Sequence, residues 1–186
     1  RDVDSSGNVV RWRYVDAADN TEEYTPGGRL SMITHRSGLT LAMSYDATGN
    51  LTAIADVHGR SLVLTYDSLK RITSMTDPAG GVYAYAYDGR SRLERVTYPG
   101  GASRLYHYDE QVYTANVPQP HALTGITDEN GNRFAVFRYD TTGKAVASAH
   151  YSAPGIEVNG FQVTYGASSV VVDPRGTSRT LSFQTL

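Results

Sequence analysis

The chain of 186 residues contains no cysteine, which excludes disulfides, thiolate metal sites and cysteine nucleophiles. It has no run of 18 apolar residues, so no helical membrane span is expected. Charge of neither sign dominates: 17 basic and 19 acidic residues are spread evenly for a net charge of −2, and no basic patch points to nucleic acid. His35, His58, His107, His121 and His150 include no His-x-x-x-His pair, which argues against zinc. No Gly-x-Ser-x-Gly elbow precedes a helix. The Gly-Gly pairs at 27–28, 80–81 and 100–101 have no strand–loop–helix context that would cradle phosphate. No metal site and no cofactor is therefore expected. Signal-peptide features and an initiator methionine are also missing, and the chain reads as a fragment of a longer protein.

What is present is tyrosine, at a fixed interval. Tyr supplies 14 aromatic residues, against 4 Phe and 1 Trp. Tyr24, Tyr45, Tyr66, Tyr87 and Tyr108 stand 21 residues apart. Six residues after Tyr45, Tyr66 and Tyr87 come Leu51, Ile72 and Leu93; nine after them come Ile54, Met75 and Val96. Fourteen after them come Gly59, Gly80 and Gly101, and Gly38 holds that place in the copy beginning at Tyr24. A fixed period of this size means an array of small units that bury apolar surface by stacking on neighbours.

Each unit reads as two strands and two turns. Leu62, Leu64 and Tyr66 alternate with Ser61, Val63 and Thr65, and Tyr83, Tyr85 and Tyr87 alternate with Val82, Ala84 and Ala86. Period two with β-branched and aromatic residues is strand. Asp46, Asp67, Asp88, Asp109 and Asp140 follow a tyrosine and open one turn; Gly38, Gly59, Gly80, Gly101, Gly131 and Gly176 close the other. Asp bonds its own backbone in a turn and Gly takes positive φ there. The fold expected is all-β: an antiparallel meander of consecutive hairpins in a curved, twisted strip. Residues 1–186 form a single array of about 16 strands in units of about 21 residues. Two loops, 109–121 and 151–158, interrupt the period. Both are expected to project and to be mobile, because extra turn residues cost little closure entropy. Open strand edges are expected near residues 9–14 and 178–183, and they should make the isolated fragment self-associate.

Catalysis by the Asp row would need two carboxylates converging in a pocket. One carboxylate per unit along a rim suits turn capping instead, and the chain is read as non-enzymatic. A tyrosine stripe, Tyr83, Tyr85, Tyr87, Tyr106 and Tyr108, is the one candidate ligand or lumen face. Its plainer reading is a cross-strand ladder that holds the sheet together.

Tyr-Asp, a Gly- or Arg-containing turn, Leu-Thr-x-Ile and Asp-x-x-Gly recur from Glu23 to Tyr108 and from Ala122 to Arg179. This pattern resembles the YD-repeat, or RHS (rearrangement hot spot), family. His121–Phe134 and Asp173–Phe183 are similar to bacterial members in particular. The resemblance implies a secreted or cell-surface bacterial protein whose repeats wind into a hollow β-shell, of which this chain is an open segment. It further implies that the shell encapsulates a C-terminal toxin or effector polypeptide, as in toxin complexes and polymorphic toxins. Related repeats in teneurins imply a similar barrel used in cell–cell adhesion, and the alternative reading is an adhesion or carbohydrate-binding module on the cell surface that uses the curved face or the two long loops. The implied partner is the protein's own downstream toxin domain, or a surface carbohydrate or protein in the alternative. The family's self-processing region is marked by Asp-Pro-x-Gly and a hydrophobic residue. Here Asp77-Pro78-Ala79-Gly80 and Asp173-Pro174-Arg175-Gly176 are followed by Gly81 and Thr177 and fall in ordinary turn positions. Both are assigned to turns, since Pro after Asp suits the second position of a type I turn.

Overall fold

The computed structural model describes residues 1–182. Phe183, the end of the expected edge strand, and the remainder to Leu186 lie outside the described residues. Seventeen strands and one 3-10 turn are present among the described residues, and no α-helix. Each strand with a defined register pairs antiparallel with its sequence neighbours, which is the expected meander.

The chain divides into two units, residues 1–84 and 85–186. The first holds β1 (Asp2–Val3), β2 (Val9–Val15), β3 (Thr21–Tyr24), β4 (Leu30–Thr34) and β5 (Thr40–Tyr45). β6 (Leu51–Asp56), β7 (Ser61–Tyr66), β8 (Ile72–Thr76) and the start of β9 (Val82–Tyr87) follow. Register places Ile33 opposite Leu41, Met43 opposite Ile54, Ile54 opposite Leu62 and Leu64 opposite Met75. Directly opposed residues share a face, so these form one apolar stripe. The reverse face carries Ala42 opposite Ala55, Ser44 opposite Ala53 and Thr65 opposite Ser74. Not one described residue of this unit is buried; the apolar stripe is half-buried throughout. Taken by itself, this unit is a single layer with two unlike faces. The strand expected at the N-terminal edge, β2, is flanked by β1, which pairs Asp2 with Arg11 and Val3 with Val9.

The second unit holds the rest of β9, then β10 (Leu93–Thr97), β11 (Ser103–Tyr108), β12 (Leu123–Thr127) and β13 (Arg133–Tyr139). β14 (Ala145–Ala153), β15 (Ile156–Thr164), β16 (Ser169–Val172) and β17 (Ser178–Leu181) complete it. Here a small core exists. Val136 and Ala135 are 0% and 1% exposed, and Thr114 and Thr124 are 0% exposed.

Both irregular segments differ from expectation. Residues 109–121 do not simply project. They fold through the 3-10 turn Gln111–Tyr113 and bury Thr114, whose Oγ1 donates to Val117 O at 2.7 Å. Backbone groups of the segment are satisfied within it, with Tyr113 N donating to Glu110 O at 2.8 Å and Asn116 N to Gln111 O at 2.9 Å. Residues 151–158 are not a loop. They are the end of β14, a tight turn at Pro154-Gly155 and the start of β15, in two strands of 9 residues each. Pro and Gly in the segment suggest a loop, but they occupy only the turn. Asn159, at φ 52°, supplies an irregularity that re-registers the pair.

Candidate functional site

The carboxylates are consumed locally. One five-residue turn recurs at both ends of the units. In the turn of Asp46, the Asp46 amide donates to Asn50 O at 2.9 Å and Gly49 N donates to Asp46 O at 3.0 Å. Asp46 Oδ1 accepts from Thr48 N and Asn50 N at 2.8 and 2.9 Å. The same bonds recur around Asp67, Asp88 and Asp140, and around Asp56, Asp128 and Asp173. The fourth residue adopts left-handed φ, as in a type I turn followed by a bulge residue. Gly38, Gly59, Gly80, Gly101, Gly131 and Gly176 hold that position at φ between 79° and 95°. A Cβ at Gly59 would meet nothing within 4 Å, so the backbone angle alone selects glycine there. Asp77-Pro78-Ala79-Gly80 and Asp173-Pro174-Arg175-Gly176 both take this turn.

The other carboxylate oxygen often accepts from the fifth side chain: Asn50 Nδ2 at 3.0 Å on Asp46, Arg71 Nε at 2.7 Å on Asp67, Arg92 Nε at 2.6 Å on Asp88. Backbone donation from Asn50 leads the lowering of the Asp46 pKa to about 2. For Asp88 the Arg92 side chain leads, again to about 2. A carboxylate held so firmly ionised by fixed donors is a poor general base. Asp109 departs from the pattern. Its amide donates to Ala122 O at 3.1 Å, so it closes the enlarged turn, and its Oδ1 accepts Gln119 N.

Five tyrosines at repeat positions reach back to a backbone carbonyl of the preceding unit, whereas Tyr24 donates to the Glu22 carboxylate. Tyr45 Oη donates to Leu30 O at 2.7 Å, Tyr66 to Leu51 O at 2.8 Å and Tyr108 to Leu93 O at 3.1 Å. Tyr139 donates to Leu123 O at 2.9 Å and Tyr165 to Ala145 O at 2.8 Å. The Arg29, Arg92 and Lys144 cations lie 5.8, 4.6 and 5.2 Å from the ring centres of Tyr45, Tyr108 and Tyr165. Sequence reading missed this clasp, although the excess of Tyr over Phe is its signature: only the hydroxyl can donate. Of the proposed stripe, Tyr83, Tyr85 and Tyr87 lie half-buried on one face of β9, and Tyr106 and Tyr108 lie half-buried on β11. The ring and hydroxyl of Tyr108 are already engaged.

The distinctive polar cluster lies elsewhere, where residues 109–122 cover β12 and β13. Glu110 accepts from Arg133 Nη1 and Nη2 at 3.0 and 2.7 Å and from Thr124 Oγ1 at 2.7 Å. Burial pushes the Glu110 carboxyl up, but the bonds from Arg133 and Thr124 outweigh it and the net shift is downward. Arg133 also donates to Thr124 O at 2.9 Å and Ala135 O at 3.1 Å. Its guanidinium passes over Gly125, where a Cβ would stand 1.8 Å from Nη2. Gly125 is thus required by close approach. Burial, then Arg133, lowers the pKa of nearby His107, whose Nε2 lies 2.7 Å from Thr127 Oγ1. Tyr113 lies under the guanidinia of Arg133 and Arg138, 5.4 and 5.6 Å from its ring centre. Beside it opens a groove of about 670 Å³ lined by Tyr113, Asp128, Asn132, Phe134, Tyr151 and Pro154. No group of three or more His, Asp or Glu placed to hold a metal occurs among the described residues. None of their helices is long and apolar enough to cross a membrane.

Antiparallel units with Asp-capped turns and tyrosine clasps define a β-repeat protein. Residues 45–82 and 66–103 match the family model RHS Repeat, so this stretch is built of RHS repeats. No curated protein matches the sequence. Two solved structures share the fold. A crystal structure of TcdB2-TccC3 aligns at TM-score 0.55 and 13% identity over 96% of this chain. TcdB2-TccC3 without its hypervariable C-terminal region aligns at TM-score 0.57 and 12% identity, also over 96%. The chain spans 12% and 11% of the length of those two chains. At such identities the likeness is one of fold.

Proposed function

We propose that this structural RHS-repeat segment is part of the wall of a shell that encloses a toxin or effector polypeptide, carried C-terminal to it, for export from a bacterium. The observation that carries the reading is the two-faced single layer of residues 1–84. A free-standing domain covers its apolar sheet face with a second layer. Residues 1–84 supply no such cover to Ile54, Leu64 and Met75, yet their stripe is continuous across the strands. A wall facing an enclosed, incompletely folded chain accounts for that design. Such a wall sequesters and does no chemistry, so the role is non-enzymatic. The repeat serves the same end, since each hairpin contacts only its neighbours and the sheet is extended unit by unit.

The test uses the full-length protein that carries this chain. A photo-crosslinking residue replaces Leu64 on the apolar face or Val63 on the reverse face. Crosslinks from position 64, and not from 63, to a C-terminal polypeptide that resists added protease support the proposal. Absence of such crosslinks, or digestion of that polypeptide as fast as when it stands alone, overturns it.

A further inference from the structure

The last strands of the second unit carry a two-part trough that the repeat turns do not explain. Register puts Phe137 of β13 opposite Ser148 of β14, and Ser148 opposite Phe161 of β15. Val163, two residues on, lies opposite Val171 of β16, and Val171 lies opposite Arg179 of β17. Opposed residues share a face, as do residues two apart on a strand, so one sheet face runs from Phe137 to Arg179. Two hollows lie along it and share Phe161 and Pro174. The inner one, about 460 Å³, adds Phe137, and no Asp, Glu, Lys or Arg lines it. The outer one, about 530 Å³, adds Val171, Asp173, Arg175 and Arg179. Phe161 is 44% exposed, so the apolar floor between them is wet.

We propose that this trough binds the monoanion of a long-chain carboxylic acid, with its head at Arg175 and Arg179 and its tail along Phe161 and Phe137. Arg104, Arg133 and Arg138 of the same unit are neutralised by Glu129, Glu110 and Glu157. Arg175 and Arg179 have no ion-pair partner among the described residues, and both are exposed. A guanidinium offers a planar fork of donors that fits a carboxylate. Asp173 is the one acidic residue of the outer hollow, and its Oδ1 accepts from Arg175 N and Thr177 N at 2.9 and 2.8 Å. Two guanidinia and one carboxylate leave a single positive charge, which a monoanion neutralises and a dianion reverses. Four strand spacings of about 4.8 Å separate β13 from β17, roughly 19 Å in all. An extended chain of about twelve carbons, with bonds near 1.5 Å, reaches about 15 Å and lies within that span. A peptide would instead set backbone donors and acceptors on Phe137, Phe161 and Pro174, whose side chains cannot pair them.

The experiment is isothermal titration calorimetry of the full-length protein that carries this chain, with dodecanoate kept below its micelle concentration. Dodecanoate should bind, and Arg175→Gln with Arg179→Gln should weaken it by about tenfold or more, as loss of a charge-assisted fork does. Octanoate should bind about tenfold or more weakly than dodecanoate, because tail burial scales with chain length. Arg95→Gln removes an exposed guanidinium of β10 outside the trough and should change nothing. Phe161→Ser should weaken dodecanoate by about tenfold; the exposed arginine pair carries the test if that variant fails to fold. Acetylated Glu-Phe-Glu should not displace dodecanoate, and phosphatidylglycerol vesicles should not be bound in its place. The proposal is overturned by no binding of dodecanoate, by binding indifferent to the arginine pair, or by octanoate binding as tightly. Displacement by the peptide, or binding to vesicles without binding to monomeric dodecanoate, overturns it equally.

Discussion

At the scale of the residue, stability rests on turn geometry repeated many times. Lys70 and Ser91 occupy the fourth turn position at φ 62° and 63°, where most copies have glycine. A left-handed non-glycine residue costs about 1–2 kcal/mol, and glycine returns roughly half of that as unfolded-state entropy. Ser91→Gly should therefore raise stability by about 0.5–1 kcal/mol, read from the urea midpoint. The Asp caps give a signed pH dependence. The pKa values of Asp46 and Asp88 are lowered to about 2 in the fold, below the ordinary carboxylate value of 3.8. The unfolded chain thus binds more protons between these limits. The contribution is complete above pH about 4 and is lost as pH falls toward about 2. Asp46→Asn with Asp88→Asn should flatten that acid limb and leave the shape of the profile from pH 5 to 8 unchanged. An unchanged acid limb would show that the caps are not held ionised. The caps and turn glycines were legible because Asp and Gly act through their own backbone neighbours. The tyrosine clasp was not, because its acceptor is a carbonyl one hairpin away.

At the scale of the element, the segment that breaks the period is the best anchored. Residues 109–122 hold Thr114 in the core and pair Glu110 with Arg133. Gln119 Nε2 also reaches Asp140 O at 2.6 Å, and Arg92 donates to Pro120 O. Glu110→Ala leaves a partly buried guanidinium without its carboxylate and should cost roughly 1–3 kcal/mol. Deleting residues 111–119 should lower stability further or prevent folding of residues 85–182. A deletion variant with the parental denaturation midpoint would mean that the segment is an ornament after all. Its Pro, Asn and Gln composition had suggested a projecting loop. Thr114 becomes a core residue only once β12 and β13 are paired beneath it, which no local pattern in the sequence records. The reverse error at 151–158 has a similar cause: nine-residue strands look like a loop when the turn residues at their junction dominate the composition.

At the scale of the whole molecule, a chain with so little buried surface is expected to seek partners. Trp12 and Tyr14 are 42% and 57% exposed, and all four residues of β17 are exposed. Among the described residues β17 pairs with one neighbour, β16. Open edges and wet apolar stripes both recruit other chains. In sedimentation equilibrium the isolated chain should show a weight-average mass that climbs above 20.2 kDa with concentration. A constant 20.2 kDa would mean that these surfaces are tolerated in water. The claim that the chain is a wall around a polypeptide is tested most directly by an electron cryomicroscopy reconstruction of the full-length protein. The account predicts residues 1–182 as consecutive strands in the wall of a hollow shell, with Ile54, Leu64 and Met75 turned toward enclosed density. It is contradicted if those side chains pack against a second ordered layer of a solid domain, or if the space they face is empty.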